Sequence, residues 1–199
     1  MESPRQALAD QSVRELLDAV GARTPAPGGG AAAALSGSLA AGLVEMAARF
    51  TAGREDVAAE AGALRGRLLE LGERELSAYE PVLEAIALDA GDPDRDARLR
   101  AALSDAADSP LEIARAAAVV ASLGAELALT GNTNLTGDAI TGAVLAEAVC
   151  CAAARLTEIN LARVPSDPRL DEAAGLTRQA SAARAKALGG TDGTQSSKE

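Results

Sequence analysis

The chain has 199 residues, 19 Lys and Arg against 29 Asp and Glu for a net charge of −10, and 48% hydrophobic but only 1% aromatic residues. That acidity excludes the basic stripe that a nucleic-acid or anionic-membrane surface requires. The absence of histidine removes the usual proton shuttle and the commonest metal ligand.

With one Phe, one Tyr and no Trp, the core must be Leu, Val, Ile and Ala between closely spaced helices. Acid–base chemistry falls to carboxylates, Tyr79, arginines or a substrate group. Met1–Arg5 lacks the basic-then-apolar layout of a signal peptide.

Ser12-Val-Arg-Glu15 is a capping-box pattern. Val13, Leu16, Leu17 and Val20 make one face of a first helix, which Gly21 ends. Thr24-Pro-Ala-Pro27-Gly28-Gly29-Gly30 follows and runs into an alanine-rich helix predicted to about Thr51. Prolines stiffen this approach, glycines free it, and a helix entered through glycines offers bare N–H groups and its positive end to an anion. The plain alternative is a turn followed by a buried helix. Leu35, Leu39, Leu43, Met46 and Phe50 share one face of that helix, with Gly37/Ala41 and Ser38/Gly42 on adjacent rows. Its apolar run, Gly30 to Val44, is shorter than the ~20 residues of a membrane span and mostly alanine, so no membrane partner is expected.

A third helical stretch begins near Arg54 after Gly53, with Val57, Ala61, Leu64, Leu68, Leu71, Leu76, Tyr79, Leu83 and Ile86 in period and a break at Pro81. A short polar helix spans Asp94–Ala107 with Leu99 and Leu103 inward. Ser109 is the expected N-cap of the next helix and Pro110 its first residue; that helix carries Leu111 to Leu127 and ends at Gly131. Gly131–Asp138 is a turn-rich connector. A long helix then runs from about Asp138 to Arg163 with Ile140, Val144, Leu145, Val149, Ala152, Leu156 and Ile159 inward, and a last one spans roughly Pro168–Leu188. Adjacent Cys150 and Cys151 point about 100° apart on a helix, poorly placed for a disulfide, and read as small apolar residues of a reducing, cytoplasmic compartment.

These elements predict an all-α, single-domain bundle of roughly six to eight helices over residues 1–188, with a disordered tail at 189–199. Its small-residue faces exceed what one bundle needs, so pairing with a second copy through helices is expected.

Four groups stand out chemically. They are the Gly28–Gly30 entrance; Glu75 with Tyr79 on one helix face at i,i+4; Asn132 to Asp138; and Asn160 within an apolar stretch. Each has a structural alternative: a solvated carboxylate for Glu75, an ordinary N-cap for Asp138, an internally satisfied amide for Asn160. Arg23, Arg49 and Arg54 flank the central helix and are the candidates for holding a carboxylate.

Several blocks, taken in order, resemble the formiminotransferase-cyclodeaminase C-terminal domain family. These are Gly21-Ala-Arg23 through Pro27-Gly-Gly-Gly30; Thr51, Gly53 and Arg54; Glu75-Leu-Ser-Ala78-Tyr79 against the family's Asp-x-x-Ala-Phe; Pro110-Leu111; Gly131-Asn132-x-Asn134 with Asp138; and Ile159-Asn160-Leu161. The resemblance implies an all-helical homodimer acting on tetrahydrofolate derivatives without a metal or prosthetic group. It would act as a cyclodeaminase making the 5,10-methenyl form from 5-formiminotetrahydrofolate, or as a methenyltetrahydrofolate cyclohydrolase, with a separate formiminotransferase as a possible partner.

The family's catalytic aspartate falls on Glu75. Substrate binding would fall to Arg23, Pro27, Gly28, Gly29, Gly30, Thr51, Arg54, Tyr79, Asn132, Asn134, Asp138 and Asn160. The chain departs from the pattern at Glu75 itself, at Ala31 where the family has Ser, at Leu156 where it has Asn, and in lacking a Leu-Pro-Lys motif. A second reading, from another class, is a non-catalytic folate-binding or helical-assembly member.

Overall fold

The computed structural model describes residues 7–189. Among them are eight α-helices, two short 3-10 turns and no strand. The helices are α1 (Val13–Gly21), α2 (Gly29–Arg49), α3 (Glu55–Ala78), α4 (Glu80–Ala87), α5 (Arg95–Ala106), α6 (Asp108–Thr130), α7 (Thr136–Asn160) and α8 (Pro168–Gly189). The all-helical expectation holds. Residues 190–199 of the expected tail, and Met1–Arg5, lie outside the described residues, and Gly189 closes α8.

Local signals act as their chemistry dictates. Ser12 and Glu15 close a reciprocal capping box, the Ser12 amide donating to Glu15 Oε2 at 2.7 Å and the Glu15 amide to Ser12 Oγ at 3.3 Å. Gly53, at φ 73°, turns the chain between α2 and α3 in the left-handed region that suits glycine. The helix over Pro81 is interrupted at Tyr79, which caps α3 and starts α4.

Ser109 is not an N-cap. α5 bends into α6 at Ala107 with almost continuous helical geometry, so Ser109 lies inside the first turn of α6, buried. Asp138 likewise falls within the first turn of α7 rather than capping it, because the 3-10 turn Thr133–Leu135 brings the helix start forward to Thr136.

α2 is the central rod, packed against α3, α6 and α7, with α8 covering α6 and α7. Its buried face is Ala34, Gly37, Ala40, Ala41, Val44, Ala47 and Ala48. A methyl group on Gly142 of α7 would lie 2.8 Å from Val44 Cγ2 and 3.1 Å from the Ala40 carbonyl oxygen; one on Gly124 of α6 would lie 3.0 Å from backbone atoms of both Ala139 and Ala143. The helices therefore touch backbone to backbone, and the core is filled by proximity rather than by large side chains.

The large side chains go elsewhere. Leu39 on α2 and Phe50, the residue that caps its end, are 71% and 66% exposed, and Leu35, Leu43 and Met46 are only partly covered. Leu145, Ala152 and Ile159, expected inward on α7, face out, while Ala143, Ala146, Cys150 and Ala153 fill the interior. α1 buries no residue at all, leaving Val13 74% and Leu17 65% exposed.

Both cysteines are free, and burial pushes the Cys150 thiol up to about 12. α4 and α5 form a small hairpin with its own core of Val82, Ala85, Leu99 and Ala106; Leu83 and Ile86, expected in the α3 period, are exposed.

Three helical stretches, Gly29–Arg49, Arg95–Thr130 and Thr133–Asn160, are long and apolar enough to cross a membrane by length and composition. This corrects the expectation for α2, which extends beyond the uncharged run through Glu45 and Arg49. Roughly half of each stretch is buried inside the bundle, so packing between helices accounts for much of the apolar character.

Candidate active site at the entrance to α2

Where α2 begins and α3 and α7 end, the chain forms a cavity of about 160 Å³. Pro25, Gly28, Gly29, Gly30, Ala31, Glu75, Tyr79, Pro110, Leu156 and Asn160 line it. The Ala26–Pro27 peptide bond, directly before the glycines, is cis. Gly28 caps α2 without a side chain, so the first amides of α2 are free of intrahelical partners.

Glu75, in the last turn of α3, points its carboxyl at this entrance. Oε2 lies only 1.7 Å from where a Cβ on Gly30 would be. The carboxyl thus occupies space that exists because residue 30 has no side chain. Oε1 is buried without a hydrogen-bond partner. Removal from water raises the Glu75 pKa above its ordinary value; the Ser109 hydroxyl and the Arg74 charge oppose this in part. Ser109 Oγ, also buried, makes no hydrogen bond of regular geometry. Glu75 is therefore not the freely solvated carboxylate of the plain alternative: the residue is partly buried at the cavity, with Oε1 shielded from water.

Asn160, the last residue of α7, donates from Nδ2 to the Ala106 carbonyl at 2.9 Å, tying α7 to the end of α5. The same bend is tied to α8 by Arg169, which donates to the Ser104 carbonyl at 2.8 Å and to Asp108 at 2.6 Å. Arg169 also pairs with Asp167, whose carboxyl its hydrogen bonds hold down at about 2. The wall around Ser109 and Pro110 is fixed by these contacts.

Gly28, Gly29, Gly30, Glu75, Tyr79 and Asn160 thus meet at one place, with Pro27 immediately before them. The other residues do not. Arg23 is exposed on the segment before the prolines. Thr51, Arg54, Asn132, Asn134 and Asp138 lie at the opposite end of α2, a helix about 30 Å long at 1.5 Å per residue. There Thr51 Oγ1 accepts from the Asn132 amide at 3.0 Å, Asn132 Nδ2 donates to the Phe50 carbonyl at 3.0 Å, and Asn132 Oδ1 accepts from the Asn134 amide at 3.0 Å. Arg54 pairs with Glu126 and donates to Thr130 Oγ1 at 2.8 Å.

A groove of about 540 Å³ adjoins this far end. Its buried acid, Glu45, is already held by Arg49 at 2.5 Å and Arg65 at 2.8 Å. Among the described residues no group of three or more His, Cys, Asp and Glu side chains is placed to hold a metal ion. The residues missed from sequence are Ser109, Pro25 and Pro110. A serine before a proline at a helix start signals a cap, and nothing in that pattern separates a capping hydroxyl from one facing a carboxylate.

Residues 12–175 match the protein family described as Formiminotransferase-cyclodeaminase. The chain is 30% identical over 191 residues to a methenyltetrahydrofolate cyclohydrolase of Methylorubrum extorquens, covering 87% of this chain and 92% of that protein. It is 33% identical over 149 residues to formimidoyltransferase-cyclodeaminase of Mus musculus, of whose length the match spans 28%. Among solved structures, formiminotetrahydrofolate cyclodeaminase of Thermotoga maritima superposes with a TM-score of 0.80 at 26% identity, covering 93% of this chain and 98% of that one.

Proposed function

The chain belongs to the formiminotransferase-cyclodeaminase family, and on that premise we propose that it is a folate one-carbon enzyme with Glu75 as its acid–base group. The carrying observation is the Glu75 carboxyl: partly buried, with one shielded oxygen that makes no regular hydrogen bond, fitted into the space left by Gly30. A scaffold that had shed its chemistry would gain by satisfying or replacing such a group, which favours the enzyme over the non-catalytic reading.

Cyclodeamination and cyclohydrolysis share one demand. A proton must move at the carbon bridging N5 and N10 of tetrahydrofolate, next to developing or fading positive charge. In hydrolysis Glu75 takes the proton of the water that adds to the methenyl carbon. In deamination it delivers a proton to the departing ammonia as N10 closes on the formimino carbon. A carboxylate beside the cationic carbon also stabilises it. The free amides at the start of α2 suit a polar edge of the ligand, and Tyr79 and Leu156 its flat apolar body. No prosthetic group is needed. For the deamination route the formimino substrate would come from a separate transferase.

The test is direct: purified protein given 5,10-methenyltetrahydrofolate, or 5-formiminotetrahydrofolate, should respectively consume or generate the methenyl absorbance band. Protein that leaves both unchanged sinks the enzyme reading.

The working unit in this reading is a homodimer. The outward stripe of α2 and the apolar face of α1 support it, since both expose large residues that a second copy would cover. Antiparallel pairing along α2 sets the Thr51, Arg54 and Asn132 end of one copy beside the Glu75 end of the other. One folate could then touch both clusters, which a single chain keeps about 30 Å apart. The double variant Leu39→Glu/Phe50→Glu is expected to move the particle from dimer to monomer in light scattering while keeping its helical circular dichroism. A wild-type protein that runs as a monomer rejects the dimer. The free, high-pKa cysteines are in keeping with a reducing cytoplasmic location.

A further inference from the structure

Two buried oxygens make no hydrogen bond of regular geometry: Glu75 Oε1 in the cavity, and Ser109 Oγ, a hydroxyl that acts on the Glu75 carboxyl from the residue next in sequence to Pro110 of the lining. They come from different helices, α3 and α6, and each buried polar atom left alone costs stability. Ser109 is 4% exposed, so its hydroxyl is shielded from bulk water. Its helix is anchored there by Arg169 on Asp108, and the end of α5 that leads into it by Asn160 on Ala106.

We infer that Ser109 is a positioning residue: its hydroxyl donates to Glu75 Oε1 in the working enzyme, holding that oxygen on the α6 side and turning Oε2 to the reacting carbon beside Gly30. The inference takes from the proposed function the premise that Glu75 is the acid–base group.

The surroundings leave few other groups for this task. On its own helix the nearest charge is Arg74, itself paired with Glu112 of α6 at 3.2 Å. Asp108, at the start of α6, is held by Arg169. The residues of α2 and α7 that line the cavity are uncharged: Gly29, Gly30, Ala31, Leu156 and Asn160. Tyr79, the remaining titratable group in the lining, is 46% exposed at the rim.

A hydroxyl that donates to a carboxylate stabilises its charged form. Removing the donor must then raise the carboxyl's titration midpoint, whichever protonation state does the chemistry. The experiment is a carbon-13 NMR titration of the Glu75 side-chain carboxyl in full-length protein, assigned by its loss in Glu75→Gln, for the wild type, Ser109→Ala and Ser109→Thr. The midpoint is expected to rise by about one pH unit in Ser109→Ala and to return toward wild type in Ser109→Thr, which keeps the hydroxyl. The matching limb of the kcat/KM profile should move by the same amount.

A Ser109→Ala midpoint equal to wild type overturns the inference, even if that variant loses stability or turnover. This readout needs no turnover. A fully active Glu75→Gln, in contrast, rejects the functional reading and the premise with it, whatever the titration shows.

Discussion

Glu75→Gln is expected to lower turnover by about 10²–10⁴-fold, the usual contribution of a positioned acid–base group, while raising thermal stability at neutral pH. The two effects share a cause. In the unfolded chain the carboxyl titrates near 4.5, and burial in the folded protein raises that value. Between the unfolded and folded values the native state binds more protons, so stability falls as pH rises through that window and stays at the lower level above it. Glutamine has the same shape and no charge to desolvate. Melting temperatures of variant and wild type should therefore converge at about pH 4 and separate, variant higher, at about pH 7.5. A variant that keeps full activity, or that melts lower than wild type at neutral pH, contradicts this account of Glu75.

Gly30→Ala is expected to cost turnover on the order of 100-fold with little change in melting temperature. The new methyl group would sit 1.7 Å from Glu75 Oε2 and 2.5 Å from Cδ, so the carboxyl must leave its place. The clashing atoms are the end of a flexible arm, hence a small effect on folding. A displacement of roughly 1 Å at the reacting atoms, hence a large effect on rate. Cγ is 3.1 Å from the same point, near where the carboxyl carbon of an aspartate would lie. Adding Glu75→Asp to Gly30→Ala should therefore recover part of the loss, so that the two substitutions together cost less than the product of their separate effects. Strictly multiplicative kinetics would show that the two positions do not share this space.

Most of the fold was legible because its signals are local. The Ser12–Glu15 box, the stop at Gly21, the break at Pro81 and the positive-φ Gly53 depend on neighbours in sequence, and each element lies near its predicted bounds. The orientation of the helices was not. In a usual bundle the leucines of α2 would face the core; here alanine and glycine do, because backbones that approach this closely leave no room for larger groups.

The same reversal put Leu145 and Ile159 outside on α7. Within the site, Gly28–Gly30, Glu75, Tyr79 and Asn160 were recognisable individually. Their meeting at one end of the bundle, and the separation of Thr51, Asn132 and Asp138 to the other, depends on the antiparallel run of α2 against α3 and α7. Ser109 reads as a cap in sequence because nothing local separates a capping hydroxyl from one buried in the first turn of a helix.

Tyr79 is the chain's single tyrosine, there is no tryptophan, and the lone phenylalanine, Phe50, is at the far end of α2. The protein's near-ultraviolet emission therefore arises at the rim of one cavity. A bound pterin ring that absorbs where tyrosine emits would quench that one emitter by energy transfer, so ligand occupancy can be followed by intrinsic fluorescence, excited beyond the phenylalanine band, with no engineered dye.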